Sequence, residues 1–111
     1  MQAAVPARLR RSVDFTRVQS AGRRVRGTYL QLVHAPGGAA ESRCGFAVSK
    51  KVGNAVVRNR VKRWLREAVR AVGGALPTRS VDVVLIARLG AGDAGFAVLR
   101  AEVGALVAKV A

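Results

Sequence analysis

The sequence predicts an α+β fold: a small single-domain α/β sandwich in which three helices pack against a mixed sheet. The chain of 111 residues has the length of one domain, so residues 1–111 are expected to share one core. Half of the residues are hydrophobic, which is typical of a folded chain and not of a disordered one. Segments with the two-residue period of strands are interspersed with segments of helical period, in the order α-β-β-α-β-α.

The chain is expected to begin with a flexible basic arm over residues 1–11, followed by a helix over residues 13–21. Ser12 is a suitable N-cap for this helix, and Asp14 lies in the first turn, where the helix dipole favours a negative charge. Gly22 then ends the helix.

Three segments have the alternation or the apolar run of strands. Residues 25–34 and 43–49 alternate between two faces, and we expect them to pair as an antiparallel hairpin. Residues 81–88 are the most apolar of the three, which predicts a central strand. If this strand runs parallel to the one at 43–49, the helix between them is a crossover.

Two further helices complete the predicted fold. The main helix is expected over residues 54–72 and to end at Gly73-Gly74. After a loop over residues 90–95, the last helix has apolar residues at helical spacing. The residues of its predicted core face are Phe96, Leu99, Val103, Leu106, Val107 and Val110.

The main helix is the strongest functional signal. At 100° per residue, one arc of it is apolar and the opposite arc is almost entirely cationic. Solvated helix faces usually interleave acids with bases, whereas Arg58, Lys62, Arg66 and Arg70 form an unbroken i, i+4 series of like charges, which repel one another. A partner outside the chain should compensate them. Gly53 and a capping Asn54 precede the helix, and the helix-start amides beside the preceding lysines are expected to offer a second phosphate site.

The charge of the whole chain indicates the chemistry of that partner. Twenty Lys and Arg residues against six Asp and Glu give a net charge of +14, a field that attracts polyanions. Nucleic acid is the favoured partner, and an anionic membrane surface is the alternative. A helix lying on a membrane would need its apolar arc for lipid, although a chain this small needs that arc for its core.

Nothing in the sequence indicates catalysis by the chain itself. The six acids are scattered, so no catalytic and no metal-binding residue is assigned. Cys44 is the only cysteine and His34 the only histidine, which excludes an intrachain disulfide and a zinc site of usual spacing. No segment has the length and apolar character of a membrane span or a signal peptide. We therefore expect a cytoplasmic protein.

Residues 46–63 (FAVSKKVGNAVVRNRVKR) closely resemble the signature of the bacterial ribonuclease P protein component. That family is marked by an Arg-Asn-Arg helix preceded by a Ser-Lys-Lys-x-Gly-Asn-Ala-Val segment. Weaker similarity continues on both sides, at residues 8–10 and 14–15 and in the strand at 82–88. The resemblance therefore covers nearly the whole chain in the right order.

The resemblance implies a ribosomal protein S5 domain 2-like fold with a left-handed β-α-β crossover, which runs against the usual right-handed rule. It implies two partners, the catalytic RNA of ribonuclease P and precursor tRNA, with no DNA and no membrane. That RNA would hold the Mg²⁺ ions and cleave the substrate, so the protein alone would bind no cofactor. The positions that would contact RNA are Lys50, Lys51, Asn54, Arg58, Asn59, Arg60, Lys62, Arg63, Arg66 and Arg70.

The resemblance also implies a cleft between the sheet and the first helix that binds the single-stranded 5′ leader of precursor tRNA. Phe15 matches an aromatic of that cleft, although a core position in the first helix is nearly as plausible from the sequence alone. Gln19 and Val33 stand where members of the family often have aromatics, and Tyr29 is a possible substitute.

Two other functions share part of these signals. A structural, ribosome-associated RNA-binding protein would have the charge without needing the signature at residues 46–63. A stand-alone nuclease would cleave RNA without an RNA subunit and would depend on a carboxylate.

Overall fold

The computed structural model describes residues 7–37, 41–72 and 80–110. The strands are β1 (Ala7–Arg8), β2 (Arg23–Arg26), β3 (Leu30–Pro36), β4 (Arg43–Val48) and β5 (Val81–Ala87). The helices are α1 (Ser12–Ala21), α2 (Ala55–Val72), α3 (Ala91–Ala94) and α4 (Phe96–Ala108). Among the described residues, no helix combines the length and the apolar character needed to cross a membrane.

The five strands form one mixed sheet in the order β1-β4-β5-β3-β2. Strand β5 lies at the centre, as its apolar sequence predicted. It pairs with β4 in parallel and with β3 antiparallel. Because β4 and β5 are parallel neighbours joined through α2, the predicted β-α-β crossover is confirmed, while its left-handedness stays a prediction.

The predicted hairpin between residues 25–34 and 43–49 is wrong in two respects. The segment at 25–34 is two strands, β2 and β3, which pair antiparallel around a turn at residues 27–29. The Gly27 N–H donates to the Leu30 carbonyl at 2.8 Å and closes this turn. Strand β3 then pairs with β5, which separates it from β4. Alternation identifies strands and their faces, but it does not identify their neighbours.

The N-terminal segment also differs from the expected flexible arm. Ala7–Arg8 pairs in parallel with β4, and the Leu9 N–H donates to the Cys44 carbonyl at 2.9 Å. The Leu9 side chain is only 2% exposed, so its burial draws residues 7–9 onto the edge of the sheet. Residues 1–6 lie outside the described part of the chain.

The sheet has a core on each face. On one face, α2 and α4 pack against the inward residues of β3, β4 and β5 and enclose the larger cluster. On the other face, the ten-residue α1 alone covers a smaller cluster built around Leu9, Val18, Val33 and Val84. Because one short helix covers this face, part of it is left open.

Three details of the helices differ from the prediction, and a fourth is not tested. Ser12 is the first residue of α1 and Arg11 is the N-cap, without a side-chain capping bond. Residues 91–94, expected in a loop, form a short fourth helix, α3. Phe96 is 36% exposed, so it does not belong to the buried face of α4. The predicted end of α2 at Gly73-Gly74 lies outside the described residues.

Candidate nucleic-acid interface

The start of α2 is fixed by its own sequence. The Asn54 side chain accepts a hydrogen bond from the Val57 N–H at 3.0 Å, which confirms the predicted N-cap. A Cβ at Gly53 would lie 2.8 Å from the Val57 side chain, so only glycine allows the chain to approach the helix this closely. This approach places Lys50 and Lys51, both exposed, in the turn directly before the helix.

The inner face of α2 is anchored in the larger core. Val61, Leu65 and Ala68 are completely buried there, and Val57 and Trp64 pack against the same cluster. This confirms the predicted apolar arc and extends it to Val69, which is also buried. Because the core uses this face, α2 has little apolar surface left for a lipid bilayer.

The outer face of α2 presents the cationic residues. Asn59, Arg63, Arg66 and Arg70 are exposed, and Arg58, Arg60 and Lys62 are half-buried. The Nε atoms of Arg58 and Arg60 are buried and have no hydrogen-bond partner among the described residues. The structure therefore brings the helical residues of the predicted site to one surface, beside the two lysines of the preceding turn.

Only one cation of α2 has an acidic partner among the described residues. Arg70 lies 3.6 Å from Glu67 in an exposed i, i+3 ion pair, which contributes little to stability. No carboxylate in the described part of the chain pairs with Arg58, Lys62 or Arg66. The predicted series of like charges is therefore not compensated within the chain over its first three members.

Arg60 is held in a different way. Its guanidinium carbon lies 5.3 Å from the centroid of the Trp64 ring, one helical turn further along. Such a cation–π contact is worth about 0.5–1 kcal/mol at an exposed site and more where water is excluded. Trp64 therefore has two roles, since it packs against the core and supports a cationic side chain of the outer face.

The part of this sheet face that α1 leaves uncovered forms a cleft beside the helix. The ring of Phe15 lies over Gly45, where an added Cβ would approach it to 2.5 Å. Next to it, Ala47, Ile86 and Gln31 are aligned across β4, β5 and β3 and remain partly exposed. Phe15 packs against this smaller cluster and remains partly exposed. It is therefore a core residue in part, and its contact with a leader nucleotide stays a prediction.

No other aromatic side chain among the described residues enters the cleft. Val33 is fully buried under α1, and half-buried Gln19 accepts a hydrogen bond from Arg24 through its backbone carbonyl. Tyr29 packs against the larger cluster on the opposite face, near Gly90. It therefore does not substitute for the missing aromatics.

An ion cluster fixes α1 to strands β4 and β5. Asp82, on β5, is fully buried and accepts hydrogen bonds from Arg43 at 3.0 and 2.7 Å and from Arg17. Asp14 adds weaker ion pairs to both arginines, at 3.9 and 3.6 Å. Burial alone would raise the pKa of Asp82, but the bonds from Arg43 and Arg17 outweigh it and hold the pKa below its usual range.

Sequence reasoning missed this cluster, although one signal for it is present. Asp82 is the one charged residue in an otherwise apolar central strand, and a buried charge has to be paired. Its partners are distant in sequence, so their identity could not be read from spacing. Asp14 and Asp82, which share the same two arginines, are therefore both occupied by them.

The described residues offer no arrangement for protein-based metal chemistry. Within the described ranges, no three His, Cys, Asp or Glu side chains could jointly hold a metal ion. Cys44 is buried, and burial raises the pKa of its thiol to about 12. At neutral pH this thiol is protonated and unreactive.

The sequence of this chain is similar to those of known proteins. The family described as Ribonuclease P matches residues 4–111. The ribonuclease P protein component of Gluconacetobacter diazotrophicus is 48% identical over 94 residues, covering 83% of this chain and 80% of the relative. That of Caldanaerobacter subterraneus is 37% identical over 102 residues, covering 92% and 87%.

Solved structures show the same fold. The ribonuclease P protein of Thermotoga maritima superposes with a TM-score of 0.83 at 30% identity, covering 94% of this chain and 97% of that one. The Staphylococcus aureus protein gives a TM-score of 0.80 at 28% identity, covering 89% and 90%.

Proposed function

Because this chain belongs to the family of ribonuclease P protein components, the protein subunits of a ribonucleoprotein endoribonuclease, we propose that α2 binds the catalytic RNA and that the α1 cleft binds the 5′ leader of precursor tRNA. The protein thereby assists the endonucleolytic removal of the leader in tRNA 5′ maturation. Its place of action would be the cytoplasm.

The observation that carries the first half of this proposal is the uncompensated outer face of α2. A row of partly or fully exposed cations without acidic partners among the described residues is unfavourable for the isolated chain and favourable beside phosphates. The core holds the inner face rigidly, so little side-chain or backbone ordering is left for the moment of binding. The residues proposed to contact this RNA are Lys50, Lys51, Asn54, Arg58, Asn59, Arg60, Lys62, Arg63, Arg66 and Arg70.

The cleft beside α1 supports the second half of the proposal, the binding of the 5′ leader. A partly accessible Phe15 ring beside Ala47 and Ile86 is an apolar surface on which a base can stack, a contact worth about 1–3 kcal/mol. Mature tRNA has no leader, so contacts made here favour the substrate over the product. Binding energy used in this way lowers the KM for the precursor without strengthening the binding of mature tRNA.

The chemistry itself is assigned to the RNA. Hydrolysis of a phosphodiester with metal ions needs ligands that converge on those ions, and the described carboxylates are not arranged to hold Mg²⁺. We therefore place Mg²⁺ in the RNA subunit and assign no catalytic residue to this chain. The protein's contribution is to reduce phosphate–phosphate repulsion and to position the leader.

Reconstitution with the cognate RNA at low Mg²⁺ tests this function. Adding the protein should restore cleavage of precursor tRNA and lower the KM for leader-bearing substrate. Replacing both Arg58 and Arg60 by alanine should weaken holoenzyme assembly while the thermal unfolding curve stays cooperative. A protein that changes neither cleavage nor KM would contradict the proposal, and cleavage by the protein without RNA would indicate a nuclease instead.

Sequencing the RNA that co-purifies with the chain distinguishes the proposed function from that of a structural, ribosome-associated protein. Ribonuclease P RNA is the expected species. Ribosomal RNA alone, with no effect of the protein on precursor tRNA cleavage, would indicate a structural, ribosome-associated role.

A further inference from the structure

We propose that Arg24 and Arg26, on the edge strand β2, form a phosphate-binding wall at the end of the cleft opposite Phe15. This inference rests on the proposed function, because it assigns to these arginines the backbone of the same leader. It makes the recognition of the leader mainly electrostatic at this end. The leader's base sequence should then matter little there.

The register of the sheet places both arginines on the cleft face. Arg24 is paired with Val33 and Arg26 with Gln31, and paired residues of antiparallel strands project from the same face. Val33 packs under α1, so the face is the one that carries the cleft. Arg23 and Val25 alternate to the opposite face, where Val25 packs against the larger core.

Arg24 is held in place by the walls of the cleft. Its guanidinium donates to the Gln31 side chain at 3.1 Å and to the Gln19 carbonyl at 2.8 Å. A guanidinium carries five N–H donors, so most of them stay available to a ligand. The two bonds tie the arginine both to the sheet and to α1, which fixes its position beside Gln31.

Arg26 has its full charge available. Its backbone pairs with β3, but its side chain is exposed and makes no hydrogen bond or ion pair with any described residue. Neither arginine has a carboxylate partner among the described residues, in contrast to Arg17 and Arg43 on the same face of the molecule. A cationic wall without a counter-ion within the chain is suited to an external anion, and leader phosphates are the anions that the proposed function brings there.

The spacing of the strands gives the cleft a defined length. One row runs from Ala47 across Ile86 and Gln31 to Arg26, through three strand-to-strand steps. At about 4.8 Å per step the row is about 14 Å long, a distance that a few nucleotides of a single strand can span. The leader would therefore meet an apolar end at Phe15 and a cationic end at Arg26.

This arrangement has two measurable consequences. Phosphate contacts carry no base information, so the wall should act equally on leaders of different sequence. Each phosphate neutralised on a single strand adds about 0.7 to the slope of log affinity against log salt. Loss of both arginines should therefore reduce that slope by about 1.4 if each neutralises one phosphate.

The test measures the affinity of the reconstituted holoenzyme for precursor tRNA with two unrelated leaders and for mature tRNA. The variants are Arg24→Gln, Arg26→Gln, their combination and Arg26→Lys. Arg23→Gln is the matched control, because it removes the same charge from the same strand on the opposite face. Thermal unfolding of each variant accompanies the binding assay, since Arg24 also links β2 to α1.

The combined variant should weaken binding of both precursors by about tenfold and leave mature tRNA unchanged, with the smaller salt slope. Arg26→Gln alone should weaken precursor binding without changing thermal stability, and Arg26→Lys should retain most of the affinity. Arg23→Gln should have no effect. The phosphate-binding wall would be contradicted if the combined variant kept the wild-type ratio of precursor affinity to mature tRNA affinity, or if Arg23→Gln lost as much affinity. Either result would leave the leader cleft itself intact. A wild-type holoenzyme that binds precursor and mature tRNA equally would overturn both.

Discussion

Two groups of cations in this protein contrast with each other. At the junction of α1 and the sheet, Arg17 and Arg43 are paired with a fully buried Asp82 and with Asp14. On the outer face of α2, Arg58, Lys62 and Arg66 have no acidic partner among the described residues. Four of the six acids of the chain lie outside the first group. Of these four, only Glu67 pairs with a cation of α2, and that cation is Arg70.

The difference separates cations that hold the fold from cations that are left for a ligand. A buried carboxylate satisfied by two arginines stabilises the native state and leaves those arginines little capacity for an external phosphate. A row of like charges has the opposite character, because it destabilises the isolated helix slightly and gains most from a polyanion. The presence of an acidic partner is thus a better guide to function here than arginine content.

The largest expected effect comes from neutralising the uncompensated group. Replacing Arg58, Lys62 and Arg66 together by glutamine should weaken binding of ribonuclease P RNA by about 100-fold or more, as three phosphate contacts are lost. Thermal stability should be unchanged or slightly higher, because like charges no longer repel. Filter binding and calorimetry measure the two quantities.

A charge-matched control distinguishes a local site from net charge. Arg23→Gln, Arg100→Gln and Lys109→Gln together remove three charges from positions outside α2, namely on β2, on α4 and at the C-cap of α4. They should weaken RNA binding far less. An equal loss would mean that overall charge, and not the face of α2, determines affinity.

Breaking the paired group around Asp82 should lower stability and leave RNA affinity nearly unchanged. Asp82→Asn leaves two arginines without their carboxylate and should lower the free energy of unfolding by about 2–3 kcal/mol. RNA affinity measured well below the unfolding temperature should change less than twofold. Chemical denaturation and RNA titration of the same preparation give both numbers. A stable variant with weakened RNA binding would place this cluster in the RNA interface.

Acid should weaken the same junction. The pKa of Asp82 is lower in the folded state than its unfolded value of 3.8, so the carboxylate stabilises the fold at pH values above about 5. This contribution is lost as the pH falls below 3.8 towards the folded-state pKa. The stability difference between wild type and Asp82→Asn, measured by denaturation from pH 7 to pH 3, should therefore shrink at the acidic end. A constant difference would contradict the assignment.

The smallest effect concerns the support of Arg60. Trp64→Leu should weaken RNA binding by about two- to fivefold through loss of the cation–π contact, a contribution of about 0.5–1 kcal/mol. Trp64→Phe keeps a ring at this position and should retain more of the affinity. In an Arg60→Gln background, Trp64→Leu should have no further effect on binding. An undiminished loss in that background would mean that Trp64 acts only through packing.

Local chemistry predicted α2 well. Its cap at Asn54, its apolar arc and its cationic face all follow from residues close together in sequence, which is why the helix and the placement of its cations could be predicted. The family resemblance added the partner, which charge alone leaves as any polyanion. The RNA contacts of individual residues stay predictions.

Contacts between residues distant in sequence could not be predicted in the same way. Alternation assigned faces to the strands but not neighbours, so β5 was not expected between β3 and β4. The bonds of Arg17 and Arg43 to Asp82 join residues 65 and 39 positions apart. The cleft position of Arg24 and Arg26 depends on the hairpin between β2 and β3, which was read as one strand. In each case the contact joins segments that are paired only in the folded structure, so no local sequence pattern predicts it.

The division between the two groups is tested most directly by the salt dependence of RNA binding. The slope of log Kd against log salt would be measured for wild type, Arg58→Gln and Arg17→Gln at a temperature where all three are folded. Arg58→Gln should reduce the slope by about 0.7–0.9 with no loss of thermal stability, as one phosphate contact disappears. Arg17→Gln should keep the wild-type slope and lower the unfolding temperature. Equal reductions of the slope by both variants would contradict the division.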